Sequence, residues 1–385
     1  MVNHAGLNNS LVFFTLCTFY STAVANRVDF TTEVRPILSE YCFHCHGPDK
    51  SNRKAKLRLD LSDGALADLG GYAAVIPGNP EDSELIFRLH SKDEDELMPP
   101  PVTGKTLTKE QKKILEDWIR EGAEYQEHWS FLPIKDPQVP EKNHKSDSDH
   151  PVDRFLARKL LDEPFSFAEE TDPVTLLRRL YFDLVGMPPS PEDAKNFLTN
   201  PTLEGYNKLI DQLLMDPRFG ERMAVHWLDL VRYSDTIGYH SDNFMEVSAY
   251  RDYVIEAFNE NLPYDQFVIE NLAGDLIPEA TQKQKIASGY NRLLQTTQEG
   301  GAQAAEYRAI YQADRVRNFG IVWLGATTGC AQCHDHKYDP FTIKDFYSLA
   351  AFFADLKEKP VGRRNPNLYL PTQEQSKKLE DLEKA

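Results

Sequence analysis

Cysteine is scarce in this sequence. Five thiols in 385 residues are too few to staple a chain of this length, so their positions matter more than their number. Positive charge is also in deficit, with 43 Lys and Arg against 60 Asp and Glu for a net charge of −17. An acidic surface repels phosphate backbones, which excludes nucleic-acid binding driven by counterion release. Apolar runs long enough to span a bilayer are missing, so a multi-span membrane protein is excluded. There is no Ser/His/Asp motif and no phosphate-cradling glycine loop, which leaves hydrolases and kinases without support. What is present is globular in character: 41% hydrophobic, 27% charged and 11% aromatic residues, enough to bury cores in two or three domains.

The longest uncharged segment runs from Leu11 to Ala25 and closes on Ala23-Val24-Ala25. Its length and its small-x-small ending read as a signal peptide over residues 1–25, although the segment before it carries His4 and no Lys or Arg. A short buried hydrophobic segment is the rival reading. Cys17 lies inside the apolar stretch and leaves with it. The mature chain is then expected to be exported, periplasmic or at the cell surface, with no membrane span after signal removal.

The other four cysteines fall in two copies of one pattern. Cys42-Phe43-His44-Cys45-His46 and Cys330-Ala331-Gln332-Cys333-His334 are both C-x-x-C-H; chance at this composition gives about 0.002 such motifs. Two thiols three positions apart meet the two vinyl groups of a haem on one turn, and the following His is held under the iron. A thioredoxin-like site needs a βαβ context that neither pair has. At the first motif haem is the preferred reading, with His46 as proximal ligand. At the second, haem with His334 proximal is preferred. The rivals are a zinc site that combines the two C-x-x-C pairs, a small disulfide within each pair and, at the second motif, a transition-metal site using Cys330, Cys333, His334 and His336.

A sixth ligand for the first haem is in view at Met98, 52 residues after His46 and followed by Pro99, Pro100 and Pro101. Prolines stiffen the loop that presents the thioether, and Met/His ligation raises the potential and suits electron transfer. Thr108 then caps a helix that Gly122 ends, with Ile114, Leu115, Trp118 and Ile119 as its apolar stripe. Upstream, Thr32 to Leu38 reads as a short helix with Pro36 in its first turn, running into the cysteines.

The runs F-T-T-E-V-R-P-I-L-S-E-Y-C-F-H-C-H-G-P-D, K-L-R-L-D-L, V-I-P-G-N-P-E-D-S-E-L, L-M-P-P-P and L-T-K-E-Q-K-K-I-L-E-D-W-I-R-E-G-A closely resemble the planctomycete-type cytochrome c domain, over about residues 28–127. The resemblance implies an all-α cytochrome c fold, with haem c attached at Cys42 and Cys45, His46 proximal and Met98 distal.

Residues 128–150, rich in Pro, Lys, Asp and His, read as a linker. A helix-rich region follows over about 150–355. Leu176, Leu177, Leu180 and Leu184 fall at helical spacing before a stop at Gly186-Met187-Pro188-Pro189, and Ser190 and Pro191 restart a helix. Charged and apolar residues interleave from Glu221 to Asp235, which predicts a buried helix whose Arg222, His226 and Asp229 share a face as an ion network. The runs L-L-R-R-L-Y-F-D-L-V-G-M-P-P-S-P, H-W-L-D-L-V-R-Y-S-D-T, Y-R-D-Y-V-I-E-A-F-N, N-L-P-Y-D-Q-F-V-I-E-N-L-A-G-D and G-C-A-Q-C-H-D-H-K-Y-D-P resemble the domain of unknown function that accompanies such cytochromes in secreted planctomycete proteins. No established activity comes with that resemblance. Met223, His226 and His240 are candidates for the distal side of a second haem. Residues 356–385 read as a linker and the start of a charged coiled coil, as in a fragment of a longer protein.

The expectation is a mainly α protein, an N-terminal cytochrome c-like domain and a larger helix-rich domain, carrying one haem c and a second at 330–334. A pure carrier has both axial positions filled and meets a redox partner with a basic docking patch. The alternatives are a dihaem peroxidase or oxidase with an open second site, and a surface-binding module that carries a cytochrome.

Overall fold

The computed structural model describes residues 27–384 apart from 128, 241, 338 and 366; the expected signal peptide and Cys17 lie outside the described residues. The described residues form sixteen α-helices joined by turns, with isolated bridges and no strands, as the mainly α expectation holds. The chain divides into two compact units, residues 1–134 and 135–385.

In the first unit a single wide turn, Phe30–Val34, is capped by the Asp29 carboxylate, which accepts from Thr32 N at 2.7 Å. It leads into α1 (Arg35–Tyr41), with Pro36 in the first turn where a missing N–H costs nothing. Cys42 ends α1 and opens α2 (Phe43–His46), so the two expected haem cysteines sit on a short helical turn. The small α3 (Ser62–Ala65) and α4 (Glu84–His90) follow. The last helix, α5 (Lys109–Arg120), starts on a capping box in which Thr108 and Gln111 satisfy each other's backbone amides. Its Leu115, Trp118 and Ile119 are buried as the stripe predicts. Trp118 meets Phe30 in a tilted contact and Tyr125 edge-on, at 5.6 and 5.2 Å between centroids, and one core joins these residues to Val34, Leu38, Cys42, Phe43, Leu59 and Leu89.

The second unit opens with α6 (Pro151–Lys159) and α7 (Pro173–Leu184), the latter capped by Asp172. Helix α8 (Pro191–Thr199) begins at Ser190, whose hydroxyl accepts from Asp193 N at 3.1 Å. Leu177, Leu180 and Tyr181 of α7 pack with Leu213 of α9 (Leu203–Leu214). Met187, in the expected helix stop, is 52% exposed.

Helix α10 (Pro217–Leu230) corrects the expectation of a buried helix with an ion network. Only Gly220 and Ala224 are buried on it, and His226 and Asp229 are exposed. The helix meets α11 (Ser248–Asn259) closely at Gly220 and Ala224, while the partly buried Trp227 and Leu228 pack on the same core and Trp227 Nε1 donates to Tyr250 OH at 3.0 Å. At Gly220 a Cβ would lie 2.4 Å from the Ile255 carbonyl oxygen, and the Gly220 N–H donates to Asn259 Oδ1 at 2.8 Å.

Helices α12 (Tyr264–Ala273) and α13 (Gln282–Ala287) complete a core of Tyr250, Tyr253, Val254, Phe267 and Tyr290. The longest helix, α14 (Ala304–Leu324), is followed by a short turn, Thr328–Gln332, and by α15 (Ile343–Phe352). Residues expected to begin a linker are instead built into this unit through Arg364. Glu358 accepts from Arg315 at 2.6 Å and from Arg364 Nε at 3.1 Å, and both arginines are buried. Their pairing fixes the chain after α15, because an unpaired buried charge is costly. Helix α16 (Gln373–Glu383) starts on a Thr372 capping box and exposes Leu379 and Leu382. No helix among the described residues is long and apolar enough to cross a membrane.

Candidate haem-attachment site

The backbone around the first motif is pinned on both sides. Cys42 N donates to Leu38 O at 2.8 Å, and His46 N to Cys42 O at 2.9 Å. Lys54 N and Leu59 N return to the carbonyls of Cys45 and His46, both at 2.8 Å. Arg53 closes the turn beyond the motif, donating to Gly47 O at 3.0 Å and Pro48 O at 2.7 Å. Only glycine fits at 47, where a Cβ would lie 2.3 Å from Phe43 O. Residue types alone do not reveal these clamps; the Gly47-Pro48 pair, a turn-forming dipeptide, is the signal from which the tight turn could be found.

Cys42 is buried and Cys45 half-buried, and both thiols are free. Burial, reinforced by the neighbouring Cys45, pushes the Cys42 thiol up to about 12, so it stays protonated in its apolar seat. His46 is half-buried. Burial lowers its pKa; the Lys54 backbone carbonyl pulls the other way and Arg88 adds to the lowering. Its Nδ1 is buried without a hydrogen-bond partner of full geometry. A buried imidazole nitrogen left in that state is costly, and a neutral imidazole is the form that ligates a metal. The donor set, two free thiols and a neutral His on one turn, fits a covalently attached haem. His44, inside the motif, is exposed.

Met98 stands half-buried on its own loop, where its N–H donates to Arg88 O at 3.0 Å at the end of α4. The peptide to the buried Pro99 is cis, and a turn at Pro101–Thr103 follows. The loop is preceded by the exposed acids Asp93, Glu94 and Asp95.

The second motif has a different setting. It lies on the turn after α14, anchored by Thr328, whose hydroxyl donates to Val316 O at 3.1 Å, and by the fully buried Ala331. Arg317 donates to Gln332 Oε1 at 2.6 Å and Tyr347 to Gln332 O at 3.1 Å. Cys330 and Cys333 are free and exposed, as is His334. His334 Nδ1 lies 2.9 Å from the Asp335 carbonyl oxygen, so Nδ1 carries the proton there and Nε2 is the basic nitrogen. His336 is buried, its Nδ1 accepting from Asp339 N at 2.9 Å. Among the described residues no three His, Cys, Asp or Glu side chains gather as a metal cage, so Cys330, Cys333, His334 and His336 form no assembled four-ligand site. His226 and His240 are exposed and Met223 half-buried.

Residues 42–102 match the family model for Planctomycete cytochrome C, which makes the first unit a cytochrome-type domain of a family that implies haem c and points to export. Residues 151–358, more than half of the chain, match the model described as Protein of unknown function (DUF1549), and the chain belongs to that family. The two domains follow in the expected order. No curated protein and no solved structure matches the chain.

Proposed function

We propose that the chain is an exported c-type cytochrome that carries electrons one at a time, in the periplasm or at the cell surface. The observation that carries this reading is the turn itself: Cys42 and Cys45, both free, lie on one short helical turn that ends on the half-buried His46. Cys42 and Cys45 would hold haem c through thioethers, with His46 and Met98 as axial ligands. When bound, haem c supplies one-electron chemistry, set towards higher potential by Met/His ligation. The residues of the chain do the rest. Helices α1 and α2 fix the thiols at one spacing, Gly47 and Arg53 close the turn beneath them, and the core around Leu38, Phe43 and Leu59 keeps water away.

The second motif supports a second haem c at Cys330, Cys333 and His334, because both thiols are accessible and the Asp335 carbonyl selects the tautomer with a free Nε2. The redox partner would carry a basic patch complementary to a chain of net charge −17.

Met98→Ala tests the axial assignment. In the matured protein the variant should lose the visible band of sulfur-ligated ferric haem, and its potential should fall by on the order of 100 mV. An unchanged spectrum and potential would remove Met98 from the site.

A further inference from the structure

The second unit contains a cleft of about 360 Å³ that no cysteine lines. It opens between the loop after α10 and residues 293–295, and its volume lies near the small end of ligand sites. We propose that this cleft binds a neutral, polyhydroxylated molecule the size of a single sugar ring.

The chemistry of the lining selects that class. Arg232, Ser234, Thr236 and Gln295 supply the polar groups. Arg232 is already paired with Asp314 through two hydrogen bonds, at 2.9 and 2.8 Å, so the site presents guanidinium N–H donors without a net charge. Asp314 does not itself line the cleft; it neutralises Arg232, the one charged residue that does, so neither an anion nor a cation finds an unpaired counter-charge among the lining residues. Ser234 and Thr236 hold their hydroxyls 3.1 Å apart, and each hydroxyl both donates and accepts, as does the Gln295 amide. That mixture suits ligand hydroxyls, which themselves donate one hydrogen bond and accept others. Ile237 and Leu293, both buried, add an apolar wall for the C–H face of a ring. Thr236 is bridged to Phe244, which is 67% exposed beside Met245 of the lining.

The backbone of the loop is strained and held. Arg232, His240 and Asp242 have φ of 60°, 56° and 47°, a conformation uncommon for residues other than glycine and concentrated at functional sites. Asp242 Oδ1 accepts from Gly238 N at 2.8 Å. Ile237 N donates to Asn243 O at 3.0 Å, and Thr296 N to Ile237 O at 2.8 Å. A loop fixed in this way has less ordering entropy to lose when a ligand arrives.

The test uses the full matured chain with saturation-transfer NMR and calorimetry. The probes are glucose, galactose, mannose and xylose, with glucuronate, glucose 6-phosphate and glucosamine as charged counterparts. At least one neutral sugar should bind, more tightly than its charged counterparts. Thr236→Val and Gln295→Ala should each weaken that binding by about five-fold or more, leaving the melting temperature of the free protein unchanged. If Thr236→Val fails to fold, the exposed Gln295 decides through its own variant. Failure of all four neutral sugars, preference for a charged compound, or undiminished binding by Gln295→Ala would each overturn the proposal. Haem content is not altered by any of these variants, so the cleft and the cytochrome reading stand or fall separately.

Discussion

At Glu358, burial pushes the carboxyl pKa up, and Arg315 and Arg364 together more than offset it, leaving the pKa below its ordinary 4.5. A carboxylate with a depressed folded pKa stabilises the native state above its unfolded value and loses that contribution as pH falls through the folded one. Glu358→Gln leaves two buried guanidinium groups without their counter-charge. The variant should lose about 3–5 kcal/mol of stability at pH 7 and a smaller further amount than the parent on acidification, as read from denaturant midpoints across pH. An equally steep acid limb in the variant would assign the effect elsewhere. None of this was legible in the sequence: Arg315 lies 43 positions before Glu358, and the six-residue spacing of Glu358 and Arg364 matches no helical or strand period that would mark them as neighbours. The two C-x-x-C-H motifs were legible because their chemistry is local, fixed by one turn of backbone. What spacing could not distinguish was their surroundings. Cys42 sits in a core, whereas Cys330, Cys333 and His334 face solvent.

Helix boundaries follow elementary capping chemistry. Asp172, Ser190, Thr108 and Thr372 each accept from an amide in the first turn of their helix. The starts at Thr108 and Ser190, and the Leu115–Trp118–Ile119 stripe, are legible from residue type and period; Asp172 and Thr372 emerge as caps only in the structure. In helix α10 interleaved charge does not signify burial: the fully buried positions are Gly220 and Ala224, and Trp227 adds a hydrogen bond to Tyr250 of α11, none of which charge patterning reveals. Gly220→Ala forces a methyl group against the Ile255 carbonyl and Asn259. It should cost about 1–3 kcal/mol, visible as a lower denaturant midpoint with an unchanged slope. A midpoint equal to that of the parent would mean the two helices are not in close contact.

Over the whole molecule, 60 acidic against 43 basic side chains produce a field that attracts basic partners over about 10 Å at 0.1 M salt. The second-order rate of electron exchange with a small basic redox protein should therefore fall, on the order of ten-fold, between about 0.01 and 0.15 M ionic strength. Stopped-flow absorbance reads this directly, and a salt-independent rate would remove the basic partner. Composition made this charge legible at once, and the quoted motif runs made the order of the two domains legible. It could not reveal the cleft beside Arg232, whose lining comes from loop residues brought together only by the tertiary fold.

Haem stoichiometry of the matured, full-length protein tests the central claim most directly. The pyridine haemochrome spectrum of denatured protein should give two covalently bound haems per chain, falling to one in a variant with both Cys330 and Cys333 replaced by alanine and to one again when Cys42 and Cys45 are replaced instead. A parent chain with a single haem, unchanged in number when Cys330 and Cys333 are replaced, would contradict the second site and confine the cofactor to the first domain. A properly matured chain that carries no covalent haem would contradict the account outright.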